Sequence, residues 1–166
     1  MKTGTGIVLC AALLVSSGRV LAEDAATYAT RSLTLETALK AAQAALKKCR
    51  DSGWQAAVAV VDRSGVVQVL LRDRYAGPHT PRTASGKAWT AVSFRSNTSA
   101  LVDLTKPGKP QSGLRNLPRV VILSGGVIIE GGGQMLGAIG VSGAPAEGDE
   151  ACAKAGIAAI QESLEF

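Results

Sequence analysis

From Thr34 onward, Leu35, Ala38, Leu39, Ala42, Ala45, Leu46 and Cys49 recur at steps of three and four. That spacing lines one face of an α-helix. Glu36 sits in its first turn and Lys47, Lys48 and Arg50 in its last, each favourable to the helix dipole, and Gly53 supplies a stop. Two nearly unbroken apolar runs follow, residues 55–61 and 66–71, joined by Asp62-Arg63-Ser64-Gly65. They predict a β-hairpin. Polar positions are almost absent from both runs, so both sheet faces should be covered. The helical period returns at Thr80-Pro81, read as N-cap and first helical residue. Ala84, Ala88, Ala91 and Val92 form its stripe, with Lys87 and Trp89 off it. Asn97 or Thr98 caps a short helix over residues 100–104, and the prolines and glycines of residues 106–118 predict a long loop.

Residues 119–123 read as a strand, and residues 127–130 and 134–141 flank three glycines as a second hairpin. A last helix spans residues 147–162, with a face of small residues (Ala151, Cys152, Ala155, Ala158, Ala159, Ser163). The order is α-β-β-α-α-β-β-β-α. The expected fold is α+β, an antiparallel sheet of about five strands with helices packed on its faces.

The first residues break this pattern. Lys2, an apolar run over residues 7–15, and Val20-Leu21-Ala22 before Glu23 have the layout of a secretory signal peptide cleaved after Ala22. The run is shorter than the roughly 20 residues that span a bilayer. No second long apolar run exists, so no stable membrane insertion is expected. Residues 23–32 are a flexible lead, and residues 33–166 are one domain. Loss of residues 1–22 removes Lys2 and Arg19 and lowers the formal charge from +5 to +3. Aromatics make up only 4% of the chain. A mild charge and few stacking rings argue against a nucleic-acid partner. Cys49 and Cys152 remain; in an oxidising compartment they form one disulfide, and otherwise two buried thiols.

The glycines of residues 125–143 do not have the spacing of a nucleotide-binding loop, and no Gly-x-Ser-x-Gly elbow occurs. His79 is the only histidine. It stands in the loop "RDRYAGPHTPRT", beside Tyr75 and among Arg72, Arg74 and Arg82. Imidazole and phenolate are both axial ligands of haem iron. Arginines and a helix start suit the two propionates. The plainer reading is a solvated loop histidine. A separate chemistry is the capture of a small organic acid by Lys87, Arg95 or Arg119.

Longer stretches narrow the choice. "LTLETALKAAQAAL", "VAVVDRSGVVQVLLRD", "TASGKAWTAVSFR" and, most specific, "GGVIIEGGGQMLGAIGVSGAPAEGDEACAKAGIAAI" together resemble the GlcG/HbpS-like haem-binding proteins, which include the C-terminal domain of PduO-type proteins. The resemblance covers roughly residues 33–160. It implies a compact domain with profilin- or PAS-like layering, homo-oligomers from dimers to octamers, and, in exported members, a bound haem b. It brings no fixed ligand set. Where "MDGA" is common after the first hairpin, this chain has "RDRYAGPHT". The expectation is an exported, periplasmic or secreted haem-binding protein serving uptake, storage or sensing, a binding protein more than an enzyme. His79 is the expected iron ligand, Tyr75 its support or substitute, and Arg72, Arg74 and Arg82 the propionate partners. Alternatives are a protein for a small organic acid or corrinoid, and an oligomer without a ligand.

Overall fold

The computed structural model describes residues 26–165; the expected signal peptide lies outside them. The chain forms α1 (Leu35–Asp51), β1 (Ala57–Asp62), β2 (Val67–Arg72), α2 (Thr80–Phe94), α3 (Thr98–Leu104), β3 (Gly126–Gly131), β4 (Gln134–Ser142) and α4 (Ala146–Ala158). Short 3-10 turns span Ser112–Asn116 and Gln161–Leu164. The sheet has four strands in the order β2-β1-β4-β3, every pair antiparallel. This is the α+β architecture expected, with one strand fewer. No helix among the described residues is long and apolar enough to cross a membrane.

Both faces are covered along β1, but not along β2, an edge strand whose Val67 and Leu70 stay exposed although its run is as apolar. On β1, Val58 and Val60 join Ile129, Ile139, Val141 and the buried side of α1 and α4 in the larger core. Their neighbours Ala57, Ala59 and Val61 face α2. This is the period-two alternation of a strand sandwiched between helices. α2 lies very close to β4 because Gly140 has no side chain: a Cβ there would come 2.0 Å from the Ala84 carbonyl oxygen. On the other face, alanines of α1 meet the sheet and α4, while Leu35 and Leu39 fall at the exposed margin of the helix. Small residues take the interior because the two helices approach so nearly that a Cβ at Gly156 would come 2.6 Å from the Ala41 carbonyl. Cys49 and Cys152 are joined as a disulfide between α1 and α4, with their Cα atoms 5.5 Å apart.

Three boundaries differ from the sequence reading. Residues 119–123 are not a strand. The Val121 N–H donates to the Thr90 hydroxyl on α2 at 2.9 Å rather than to a neighbouring strand, so the segment is a strap across that helix. His79, not Thr80, holds the N-cap position of α2. The Thr80 hydroxyl turns backward and donates to the Gly77 carbonyl at 2.8 Å. The last helix ends at Ala158, and the chain continues as a 3-10 turn that seats buried Leu164.

Candidate ligand site beside the His79 loop

The loop between β2 and α2 is anchored from below. Asp73 is buried. Its carboxylate accepts hydrogen bonds from the Ala56 N–H at 3.2 Å and from Arg50 Nε at 2.7 Å, while its own N–H donates to the Ala56 carbonyl. This buried, doubly hydrogen-bonded carboxylate fixes the start of the loop and so where the next residues emerge. Gly77 then makes room for the imidazole: a Cβ there would lie 2.8 Å from His79 Cε1 and 2.9 Å from Nδ1. His79 is therefore folded back over a bare backbone. Among the described residues neither ring nitrogen has a hydrogen-bond partner.

His79 and Tyr75 share the wall of one open cavity of about 670 Å³. His79, Thr83 and Lys87 are spaced by four and present one side of α2 to it. Trp54, from the turn after α1, adds an aromatic surface, and Ser142, Gly143 and Ala144 complete the opposite wall. The volume lies within the range of about 300–1,000 Å³ usual for small-molecule sites.

The floor of the cavity is a buried ion pair. Lys87 Nζ donates to Asp149 Oδ2 at 2.6 Å and to the Val141 carbonyl at 2.9 Å. The Lys87 and Asp149 side chains are only 2% and 4% exposed. Asp149 Oδ1 accepts from the Ala144 N–H at 2.9 Å. Burial pushes the Asp149 carboxyl above the ordinary carboxylate range, and the hydrogen bond and charge of Lys87 work against that rise. The sequence did not single out this pair as a unit. Asp149 reads there as a first-turn charge of the last helix, and Lys87 as a residue off an apolar stripe that could hold a small acid. Their separation of 62 positions leaves no local signal.

The other candidates are distributed. Arg72 donates to the Ala76 carbonyl within the same loop. Arg74 is exposed, and neither residue is part of the cavity wall. Arg82 faces a different cavity, together with Arg119. The three residues weighed for a small acid also part company: Lys87 lies under His79, Arg95 ends α2 in the left-handed conformation (φ 49°), and Arg119 rides the strap. Among the described residues no group of three or more His, Cys, Asp or Glu side chains could hold a bare metal ion. A single imidazole suits an iron that brings most of its own donors, as in a haem.

The chain belongs to the HbpS-like family, described as "Haem degrading protein HbpS-like", whose sequence model matches residues 33–158. Among solved structures, a double mutant of Streptomyces reticuli HbpS is 38% identical with a TM-score of 0.75, covering 86% of this chain and 97% of that one. A structure described as a PduOC:heme complex is 30% identical with a TM-score of 0.74, covering 78% and 95%. By sequence, the corrinoid adenosyltransferase PduO of Citrobacter freundii is 31% identical over 140 residues, 81% of this chain and 42% of PduO. This chain thus spans less than half the length of that relative.

Proposed function

We propose that this protein is exported and binds haem b in the cavity beneath the β2–α2 loop, where His79 would hold the iron. The observation that carries the reading is an exposed imidazole with no protein hydrogen-bond partner among the described residues, seated on Gly77 at the edge of a cavity large enough for a small-molecule cofactor. Family membership and the haem complex of a relative support it. Tyr75, on the same wall, supports or replaces His79. Trp54 offers an apolar surface to a flat macrocycle. The haem, when bound, supplies the iron chemistry; the chain's own part is to hold and shield it. Lys87 is already paired to Asp149, so the propionates fall to cations outside the wall. Arg74, exposed and with free donors, is the first of these, Arg72 the second, and Arg82 the most remote because it faces another cavity.

Export rests on the layout of residues 1–22 and is supported by the Cys49–Cys152 disulfide, a bond that persists in oxidising compartments. The family resemblance adds assembly as a homo-oligomer. A haem titration of the purified chain and of His79→Ala tests the binding. A Soret band in the parent that is lost or shifted in the variant is expected; an identical band in both would remove His79 from the role, and no band in the parent would remove haem. Mass spectrometry of the exported protein should find a new N-terminus at Glu23.

A further inference from the structure

A second cavity, of about 360 Å³, lies on the other flank of α2 and is lined by Arg82, Ser85, Gly86, Arg119, Val120 and Val121. Arg82, Ser85 and Gly86 share a helix face by their spacing of three and four. The strap presses onto that face at Gly86, where a Cβ would come 2.6 Å from Val121 Cγ2. The Val121–Thr90 hydrogen bond holds it there. Arg119 is thereby set on the same concavity as Arg82, in a left-handed backbone conformation (φ 70°) and with its guanidinium carbon 4.8 Å from the centre of the Trp89 ring. Stacking uses the face of a guanidinium and leaves its N–H edge to bind.

No carboxylate lines this cavity, and among the described residues neither arginine has an ion-pair partner. Two cations on one concavity repel, and their repulsion is relieved by an anion between them. The Ser85 hydroxyl donates to the Pro81 carbonyl at 2.9 Å and is committed there. Recognition therefore falls to the two guanidinium groups, whose planar forks match the oxygens of a carboxylate or a phosphate.

We propose that this cavity binds a small molecule through a carboxylate or phosphate group, held between Arg82 and Arg119, with Val120 and Val121 as an apolar wall for the rest of the ligand. The cavity exceeds what a bare ion needs, within the range used for small ligands. The site needs neither haem nor His79; Arg82 is the one residue the two readings share, and titration of the haem-free chain tests this site apart from the haem.

The test uses the haem-free full chain, titrated in separate arms with inorganic phosphate and with benzoate, followed by calorimetry. Tryptophan emission gives a local readout: the chain has two tryptophans, so a Trp54→Phe background leaves Trp89 as the reporter. Saturable binding in at least one arm, with a change in Trp89 emission, is expected, and the stronger arm identifies the anionic group. Arg82→Ala and Arg119→Ala should each weaken binding roughly tenfold or more, the scale of a charge-assisted hydrogen bond. Arginine-to-lysine versions, which keep the charge and the fold, should restore only part of it. Absence of saturable binding in both arms overturns the proposal, as does binding indifferent to both alanine variants. A change of oligomeric mass in Arg82→Ala with no effect on either anion also overturns it, since the arginines would then serve a second copy of the chain.

Discussion

Lys87 on α2 and Asp149 on α4 meet at 2.6 Å although their helices pack on opposite faces of the sheet. The pair also ties in β4 through the Val141 carbonyl and the β4–α4 turn through the Ala144 N–H. One contact thus joins both helical layers to the floor of the candidate haem cavity. Removing one partner leaves a buried group uncompensated. Lys87→Met should cost about 3–5 kcal/mol, toward the low end because the Asp149 carboxyl can take up a proton, and Lys87→Met/Asp149→Leu should cost less than Lys87→Met alone. Urea midpoints of the single and double variants decide this; a double variant less stable than Lys87→Met would contradict it.

The same pair has a pH signature. The folded Asp149 carboxyl titrates above its ordinary value of 3.8. Between that value and the raised one the folded state binds more protons than the unfolded, so this group's contribution to stability falls as pH rises through the window. It is most favourable below pH 3.8 and fully lost above the raised value. Compared with Asp149→Asn, the parent should therefore gain stability as pH is lowered from neutrality into the window. Chemical denaturation of both proteins over a pH series measures the difference, and a parent that loses ground to the variant on acidification would refute the sign.

Gly77 separates ligand placement from folding. A methyl group there would strike the imidazole and little else, since the next nearest atom, Thr80 Cγ2, is 3.7 Å away. Gly77→Ala should lower haem affinity about tenfold, the scale of a displaced binding group, while changing stability by less than about 1 kcal/mol. Haem titration beside thermal melting reads both. Unchanged affinity would mean that the observed seat of His79 is irrelevant to binding.

The Cys49–Cys152 disulfide closes a loop with a sequence separation of 103. A cross-link over that span removes much unfolded-state freedom, and its loss should cost about 2–5 kcal/mol. Melting with and without reductant, and of Cys49→Ala/Cys152→Ala, should show matching losses. No loss in either case would place the helix packing alone in charge of that interface.

The elements were largely legible because each announces itself locally. The three-and-four spacing from Ala38 to Cys49 needs a helix in any context, and the runs around Asp62–Gly65 need a turn between them. Export and an iron ligand at His79 are expectations drawn from residues 1–22 and from the only histidine, and both await the experiments above. Other features depended on what lies across space. Residues 119–123 have strand composition, yet Thr90 offers the Val121 N–H a partner and α2 offers Gly86 as a seat, so the segment becomes a strap. Leu35 and Leu39 fit the apolar stripe of α1, but the closeness of α4 favours small residues such as Ala41, Ala45 and Cys49 at the contact.

Local spacing by itself determined most of the helices and the hairpins, because hydrophobic period and turn chemistry act within a few residues, and composition alone singled out His79. Tertiary structure alone decided which side chains share a wall. It turned His79 and Tyr75 toward one cavity and Arg82 toward another, because a helix sends neighbouring residues in different directions. It joined Lys87 to Asp149, because two buried charges are stable only where the fold brings them together.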